Sequence, residues 1–186
     1  MLLNNYDQIV DLILNKKIIA LFQGRAEAGA RALGNRSILF DPRIKDGKDI
    51  VNTVKKREYF RPFGCTILLE HAHEWFDMDN IKESPFMMYA IPCKKDKIDK
   101  IPAVLHIDNT CRLQTITKKQ NYHFYNVIKK FYERTGIPCL LNTSFNMAGE
   151  PLVNTLEHAE KTFLNTAIDC LWLPEKNEIR NKKELI

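Results

Sequence analysis

The sequence predicts an α/β or α+β domain built on a twisted mixed sheet flanked by helices. Three observations carry that reading. Short apolar runs of strand length alternate with stretches of helical periodicity. One pair of strand candidates is separated by little more than Asp108-Asn109, a dipeptide that tolerates the left-handed conformations of a tight hairpin turn. The length of 186 residues, 45% apolar and 27% charged, suits one domain with a real core and argues against disorder.

Tyr6, Ile9, Val10, Ile13 and Leu14 recur at helical spacing, so the chain opens with an amphipathic helix. IIALF (residues 18–22) reads as a buried strand ending at Gly24, and SILF (37–40) as a second, stopped by Asp41-Pro42. Residues 46–57 follow as a helix with Ile50 and Val54 on one face. CTILLE (65–70) and FMMYAI (86–91) are further buried strands, and AVLHI pairs with TCRLQTI across the Asp108-Asn109 turn. Residues 122–134 form a helix capped by Gly136, and PCLLN (138–142) returns as a strand. Thr155 caps a helix carrying Leu156, Ala159 and Phe163, and CLWL (170–173) is the last strand. Residues 1–174 are thus read as one domain, with 175–186 a charged tail expected to fray or lie exposed.

Several function classes fall away. No apolar run approaches the ~20 residues of a membrane span, and MLLNNYDQIVDLIL has acids but no basic region of a signal peptide. The five cysteines (65, 93, 111, 139, 170) include no C-x-x-C pair and read as reduced core residues, so the location expected is cytoplasmic. His71 and His73 lack a third ligand at a recognised spacing, and no metal is expected. There is no Walker loop, G-x-G-x-x-G, H-E-x-x-H or G-x-S-x-G.

The net charge of +5 is concentrated. Between Gly24 and Pro62 ten Lys or Arg face five acids, whereas the remainder carries eighteen of each sign. Within that segment GRAEAGARALGNR (24–36) holds Arg25, Arg31 and Arg36 among three glycines and four alanines. Small residues let a backbone close on a ligand, and arginine forks match carboxylates and phosphates. The arginines converge only if the loop curls, so an anion site and a solvated loop stand level on spacing alone. VKKREYFRPF (54–63) adds Lys55, Arg57 and Arg61, which a basic helix end also explains. LLNTSFNMAGEP (140–151) gathers Asn142, Thr143, Ser144 and Asn146 after an apolar strand, where sheets bind ligands or turns bond themselves. HIDNTCRLQ (106–114) places His106 beside a strand arginine, Arg112, which needs a partner if buried, whether a carboxylate or a ligand.

Together these four motifs, in this order, resemble the C-terminal domain of O-carbamoyltransferases of the nodulation and antibiotic-tailoring type. The resemblance runs from about Ile18 to Leu173 and implies the YrdC-like fold also seen in threonylcarbamoyl-adenylate synthases. It implies a K-x-R element at Lys55-Lys56-Arg57 and an S-x-N element at Ser144-Phe145-Asn146 that hold nucleotide and carbonyl substrate. The activity implied is formation of carbamoyl-adenylate from carbamoyl phosphate and ATP, with Mg2+ accompanying the nucleotide. Two such substrates bring roughly six negative charges into one pocket, which fixed cations must neutralise. On this reading Lys55, Arg57 and Arg31 are catalytic. Arg25, Arg36, Arg61, Arg112, His106, Asn142, Thr143, Ser144 and Asn146 contact substrate.

The sequence departs from the family at Ala30, where proline is common, and at Ala26 and Ala28, where bulkier residues are usual. The family's N-terminal acceptor domain has no counterpart in these residues, so a separate subunit or domain of that type is the partner expected. Two other readings stand beside this one. A non-catalytic module would keep the pocket for nucleotide and carbamoyl phosphate, and a duplex-RNA binder would use the basic segment. Sparse aromatic interleaving there puts nucleic acid last.

Overall fold

The computed structural model describes residues 5–184. At its centre is one eight-stranded sheet: β1 (Ile19–Phe22), β2 (Arg36–Phe40), β3 (Gly64–Leu68), β4 (Tyr89–Pro92), β5 (Thr110–Ile116), β6 (Cys139–Ser144), β7 (Cys170–Leu173) and β8 (Glu178–Arg180). Their order across the sheet is β4-β5-β3-β6-β2-β1-β7-β8. β3–β5 and β1–β7 are parallel and the other neighbours antiparallel, so the sheet is mixed. The helices are α1 (Tyr6–Leu14), α2 (Gly47–Val54), α3 (Leu69–Trp75), α4 (Tyr122–Thr135) and α5 (Leu156–Leu164). Every residue of β2, β3 and β7 is buried, as central strands covered on both faces require.

Local chemistry sets the element ends. Asn121 caps α4 by accepting the Phe124 N–H, and Gly136 ends it at φ 73°. Thr155 caps α5 by accepting the His158 N–H. The end of α2 is a Schellman turn, with the Arg57 N–H on the Asn52 carbonyl and the Lys56 N–H on the Thr53 carbonyl, both at 3.1 Å. Lys56 occupies the left-handed position usually given to glycine, at φ 53°. All five cysteines are buried and unbridged, and burial pushes the Cys93 thiol up to about 12, so these groups pack rather than react. No helix among the described residues is long and apolar enough to cross a membrane.

The mixed α/β sheet is the architecture expected, with three local corrections. The turn at 106–109 forms, with Asn109 at φ 61°, but the expected strand before it begins in a short 3-10 turn, Pro102–Val104, and forms no strand. β5 pairs instead with β4, so the true hairpin partner lies farther back in the chain. β4 itself starts at Tyr89 and is an edge strand, exposed where a buried one was expected, while Phe86 and Met88 before it also lie exposed. Residues 178–180 of the tail add β8 to the sheet edge against β7 instead of fraying, and 185–186 lie outside the described residues. α3 was unanticipated, because its LEHAHEW carries only two residues, Ala72 and Trp75, into the core.

Candidate functional site

The connection between β1 and β2 is the arginine-rich stretch, and it curls around its single acid. Glu27 Oε1 accepts the backbone N–H groups of Leu33 at 2.8 Å and Asn35 at 2.7 Å. Gln23 Nε2 donates to the Gly34 carbonyl, and Asn35 Nδ2 to that of Arg25. Gly34 sits at φ 107°, and a Cβ there would come within 2.4 Å of the Phe124 ring, so the loop packs against α4 only because this residue lacks one. Arg36 belongs to this scaffold and not to an anion pocket. It is 3% exposed, lies 3.7 Å over the Phe22 ring, and donates to the carbonyls of Gln23, Gly24, Asn35 and Asn154.

Beneath the loop the sheet supplies a buried polar row. The register sets Gly64 between Arg112 and Asn142, and Thr66 beside Gln114, all on one face. Asn142 Nδ2 donates to Thr66 Oγ1, Gln114 Oε1 and the Ala32 carbonyl, and Gln114 Nε2 donates to the Leu33 carbonyl. Asn142, 1% exposed, therefore holds the loop down instead of meeting solvent. Its Oδ1 has no partner. Thr143 alternates to the opposite face, opposite Ile38 of β2, away from Asn142 and Ser144. Gly64 admits its neighbours closely: a Cβ would lie 2.6 Å from the Arg112 carbonyl and 2.7 Å from Met87 sulfur.

Lys55, at the end of α2, reaches the carboxyl end of β6. Its Nζ donates to the carbonyls of Ser144 at 2.5 Å and Asn146 at 2.7 Å, and stands 3.3 Å from Asn146 Oδ1. Ser144 Oγ donates to Asn146 Oδ1 at 2.6 Å, and Asn146 Nδ2 to the Glu150 carbonyl. Lys55 thus ties both sequence motifs into one unit. Arg57 is set by Asn52, which accepts from its Nε at 2.5 Å, and by the Phe63 ring 4.2 Å below. Lys55, Arg57, Arg61, Ser144 and Asn146 line a cleft of about 300 Å³.

Electrostatically the cleft is lopsided. Burial first, then Arg61 and Arg112, pull Arg57 down to about 10, with Glu58 opposing. Burial and then Arg31 lower Arg112. Arg61 pairs with Glu58 at 2.9 Å on the rim. Among the described residues Arg25, Arg31, Lys55, Arg57 and Arg112 form no ion pair, and the buried Arg112 Nε has no hydrogen-bond partner. The structure thus brings Arg31, Lys55, Arg57, Arg61, Arg112, Ser144 and Asn146 together, with the exposed Arg25 on the loop above. His106 lies beside Arg112. Its Nδ1 is 2.9 Å from the Thr110 hydroxyl, its Nε2 is buried without a partner, and burial lowers its pKa. A set of like charges this close, with unspent guanidinium donors, suits an anion electrostatically.

Sequence reading missed Asn52, which sets Arg57, and Glu27, Thr66 and Gln114, which tie down the loop and the polar row beneath it. Glu27 alone carried a signal, as the one acid in the basic loop.

Lys55 also gives the site a pH signature. Burial, with Arg57 adding, lowers it from 10.5 to about 7. Between those values the unfolded chain holds the proton and the folded one does not, so this group makes stability rise with pH across that window. A bound anion favours the charged form. Sulfate, which does not itself titrate there, is expected to bind with proton uptake at pH 8 and to weaken as pH rises from 7 to 9. Calorimetry in buffers of different ionisation heat checks this, and Lys55→Met should abolish the proton uptake.

Comparison with known proteins gives this geometry its relatives. A family model described as Carbamoyltransferase C-terminus matches residues 10–178. Nodulation protein NolNO of Sinorhizobium fredii is 47% identical over 161 residues, covering 86% of this chain and 24% of that protein. Nodulation protein NolO of Bradyrhizobium diazoefficiens is 45% identical over 163 residues, covering 87% of this chain and 30% of its own length. The chain therefore spans about a quarter to a third of the length of these curated relatives. In three dimensions it is similar to full-length HypF, crystallised in a phosphate- and nucleotide-bound form. The TM-score is 0.61 at 14% identity, with 93% of this chain and 28% of HypF covered, a likeness of fold.

Proposed function

The chain belongs to the carbamoyltransferase C-terminal family, and from that premise we propose that it binds carbamoyl phosphate and ATP and forms carbamoyl-adenylate. The observation that carries the reading is the group of cations without carboxylate partners, Arg31, Lys55, Arg57 and Arg112, gathered beside Ser144 and Asn146. The phosphate and nucleotide named for the HypF structure are ligands of the same charge class.

The chemistry balances with one water. Water cleaves carbamoyl phosphate to carbamate and orthophosphate. A carbamate oxygen then attacks the α-phosphorus of ATP, and the α–β bridge breaks to release pyrophosphate. In this scheme Arg112 and Arg31 hold the acyl phosphate, and Arg57 and Arg61 neutralise charge on the triphosphate. Lys55 fixes Ser144 and Asn146 and adds positive charge beneath them. The cleft's one lining carboxylate, Glu58, already pairs with Arg61 and does not suit a protein-held magnesium. Mg2+ would enter on the phosphate oxygens. The carbamoyl acceptor, and the transfer to it, would come from a separate domain or subunit.

The expected result is release of orthophosphate and pyrophosphate in a 1:1 ratio, dependent on both substrates. Folded protein that turns ATP over to ADP, or ignores carbamoyl phosphate, would sink the assignment. Thermal stabilisation by both ligands without turnover would move it to a binding module.

A further inference from the structure

The N-cap of α4 does more than end a helix. Asn121 Oδ1 accepts the Phe124 N–H at 3.1 Å and Gln23 Nε2 at 3.0 Å. Its Nδ2 donates to the Gly34 carbonyl at 3.3 Å and to Asn35 Oδ1 at 3.2 Å. Both acceptor sites and both donors of the carboxamide are therefore engaged, which is all that an asparagine side chain offers. Capping needs only the first of these bonds. The other three go to residues 98, 87 and 86 positions away, at the two ends of the connection that carries Arg25 and Arg31.

Those ends are also closed on each other. The Gln23 N–H donates to the Asn35 carbonyl at 3.1 Å, and Gln23 Nε2 to the Gly34 carbonyl at 2.6 Å. Asn35 passes the hold outward, since its Nδ2 donates to the Arg25 carbonyl at 2.9 Å. Gly34 makes the approach possible, because a Cβ there would stand 2.9 Å from Asn121 Nδ2. From the sheet, Asn142 and Gln114 hold the Ala32 and Leu33 carbonyls. The segment just after Arg31 is thus fixed between the sheet and α4. Ala28, Gly29 and Ala30 at the tip are exposed and too small to pack, so hydrogen bonds at the base must supply the order.

We infer that Asn121 is the positioning residue of the arginine loop, holding Arg25 and Arg31 over the cationic cleft from the cap of α4. It acts through the loop backbone and not by touching the anion. A loop without this hold would have to be ordered at the moment of binding, at a cost in affinity. The inference rests on the functional reading above only for the identity of the anion.

Two substitutions separate the cap from the anchor. Asn121→Ser keeps a good N-cap and is too short to reach the loop, while Asn121→Asp keeps both acceptor roles and removes both donors. The aspartate adds a charge that repels an anion by itself, and the serine does not. Calorimetric titration with orthophosphate and with carbamoyl phosphate reads affinity, and hydrogen exchange of the Leu33 and Asn35 amides reads loop order. Both variants should melt within a few degrees of wild type and exchange those amides faster. Both should bind either anion roughly three- to tenfold more weakly, as the loss of one or two neutral hydrogen bonds allows. A double-mutant cycle then tests positioning against a general structural role. In a chain already carrying Arg25→Ala and Arg31→Ala, Asn121→Ser should cost no further affinity, because the groups it aims are gone. An equal loss in that background, wild-type affinity in Asn121→Ser, or a wild type that binds neither anion would overturn the assignment. Orthophosphate bound in the expected manner by a protein that never binds carbamoyl phosphate would uphold it and defeat the adenylation reading.

Discussion

Arg112→Met is expected to abolish most of the protein's affinity for carbamoyl phosphate while making the ligand-free fold more stable. The two effects have one cause. Arg112 sits on β5 opposite Gly64 and Ala90, neither of which offers its guanidinium a partner. Its Nε is buried without a partner, and Arg31 and Arg57 lie near enough to raise the cost of its charge. In the free protein that charge is a liability, and methionine fills much the same volume without it. The gain is up to about 1 kcal/mol, kept small because the side chain is half-exposed, or about 2–4 °C in melting temperature. With ligand present the sign reverses, since a hydrogen bond between charged groups is worth about 1.5–3 kcal/mol, or roughly 10–10²-fold in affinity. Titration of carbamoyl phosphate and a thermal melt read the two effects separately. A variant that melts lower and binds as well as wild type would show Arg112 to be a structural strand residue.

The sequence made the cations visible and hid their jobs. Arg25, Arg31 and Arg36 are equivalent in the one-dimensional pattern, yet Arg36 is the first residue of β2 and turns inward, whereas Arg25 and Arg31 ride the loop above it. Only the antiparallel register of β1 with β2 decides which arginine faces the carbonyls of Gln23 and Gly24. Asn142 and Thr143 likewise read as one polar cluster until strand alternation puts them on opposite faces. Sheet order was illegible for a related reason. β3 pairs with β5 and β6, and β1 with β7, across contacts whose partners lie far apart in the chain. The helix ends were legible where chemistry is local, at Thr155 and Gly136. The end of α2 was not, because lysine takes the position where glycine would have announced a cap. This turn separates Lys55, which lines the cationic cleft, from Lys56, which lines a neighbouring cavity.

Arg36→Ala is expected to do what no other single arginine change does: lose anion affinity and stability together. Its guanidinium gathers four backbone carbonyls from three segments, the end of β1, the loop before β2, and Asn154 ahead of α5. The Asn35 carbonyl also accepts the Gln23 N–H at 3.1 Å, whereas those of Gln23 and Gly24 lie past the end of the β1–β2 ladder. Removing the side chain strands these acceptors in a buried setting and opens a gap over Phe22. Charged hydrogen bonds of this kind carry about 1.5–3 kcal/mol each, and the carbonyls partly recover by admitting water. A net loss of roughly 3 kcal/mol follows, or about 6–12 °C in melting temperature. Arg36→Lys should rescue little, because one ammonium cannot span acceptors that the planar fork reaches on two sides. The loop carrying Arg25 and Arg31 would then lose its base, although Glu27 still gathers its tip. Carbamoyl phosphate binding should therefore fall in proportion to the loss of loop order, read by hydrogen exchange of the Leu33 and Asn35 amides. An Arg36→Ala protein that melts with the wild type yet binds no anion would return this arginine to the pocket.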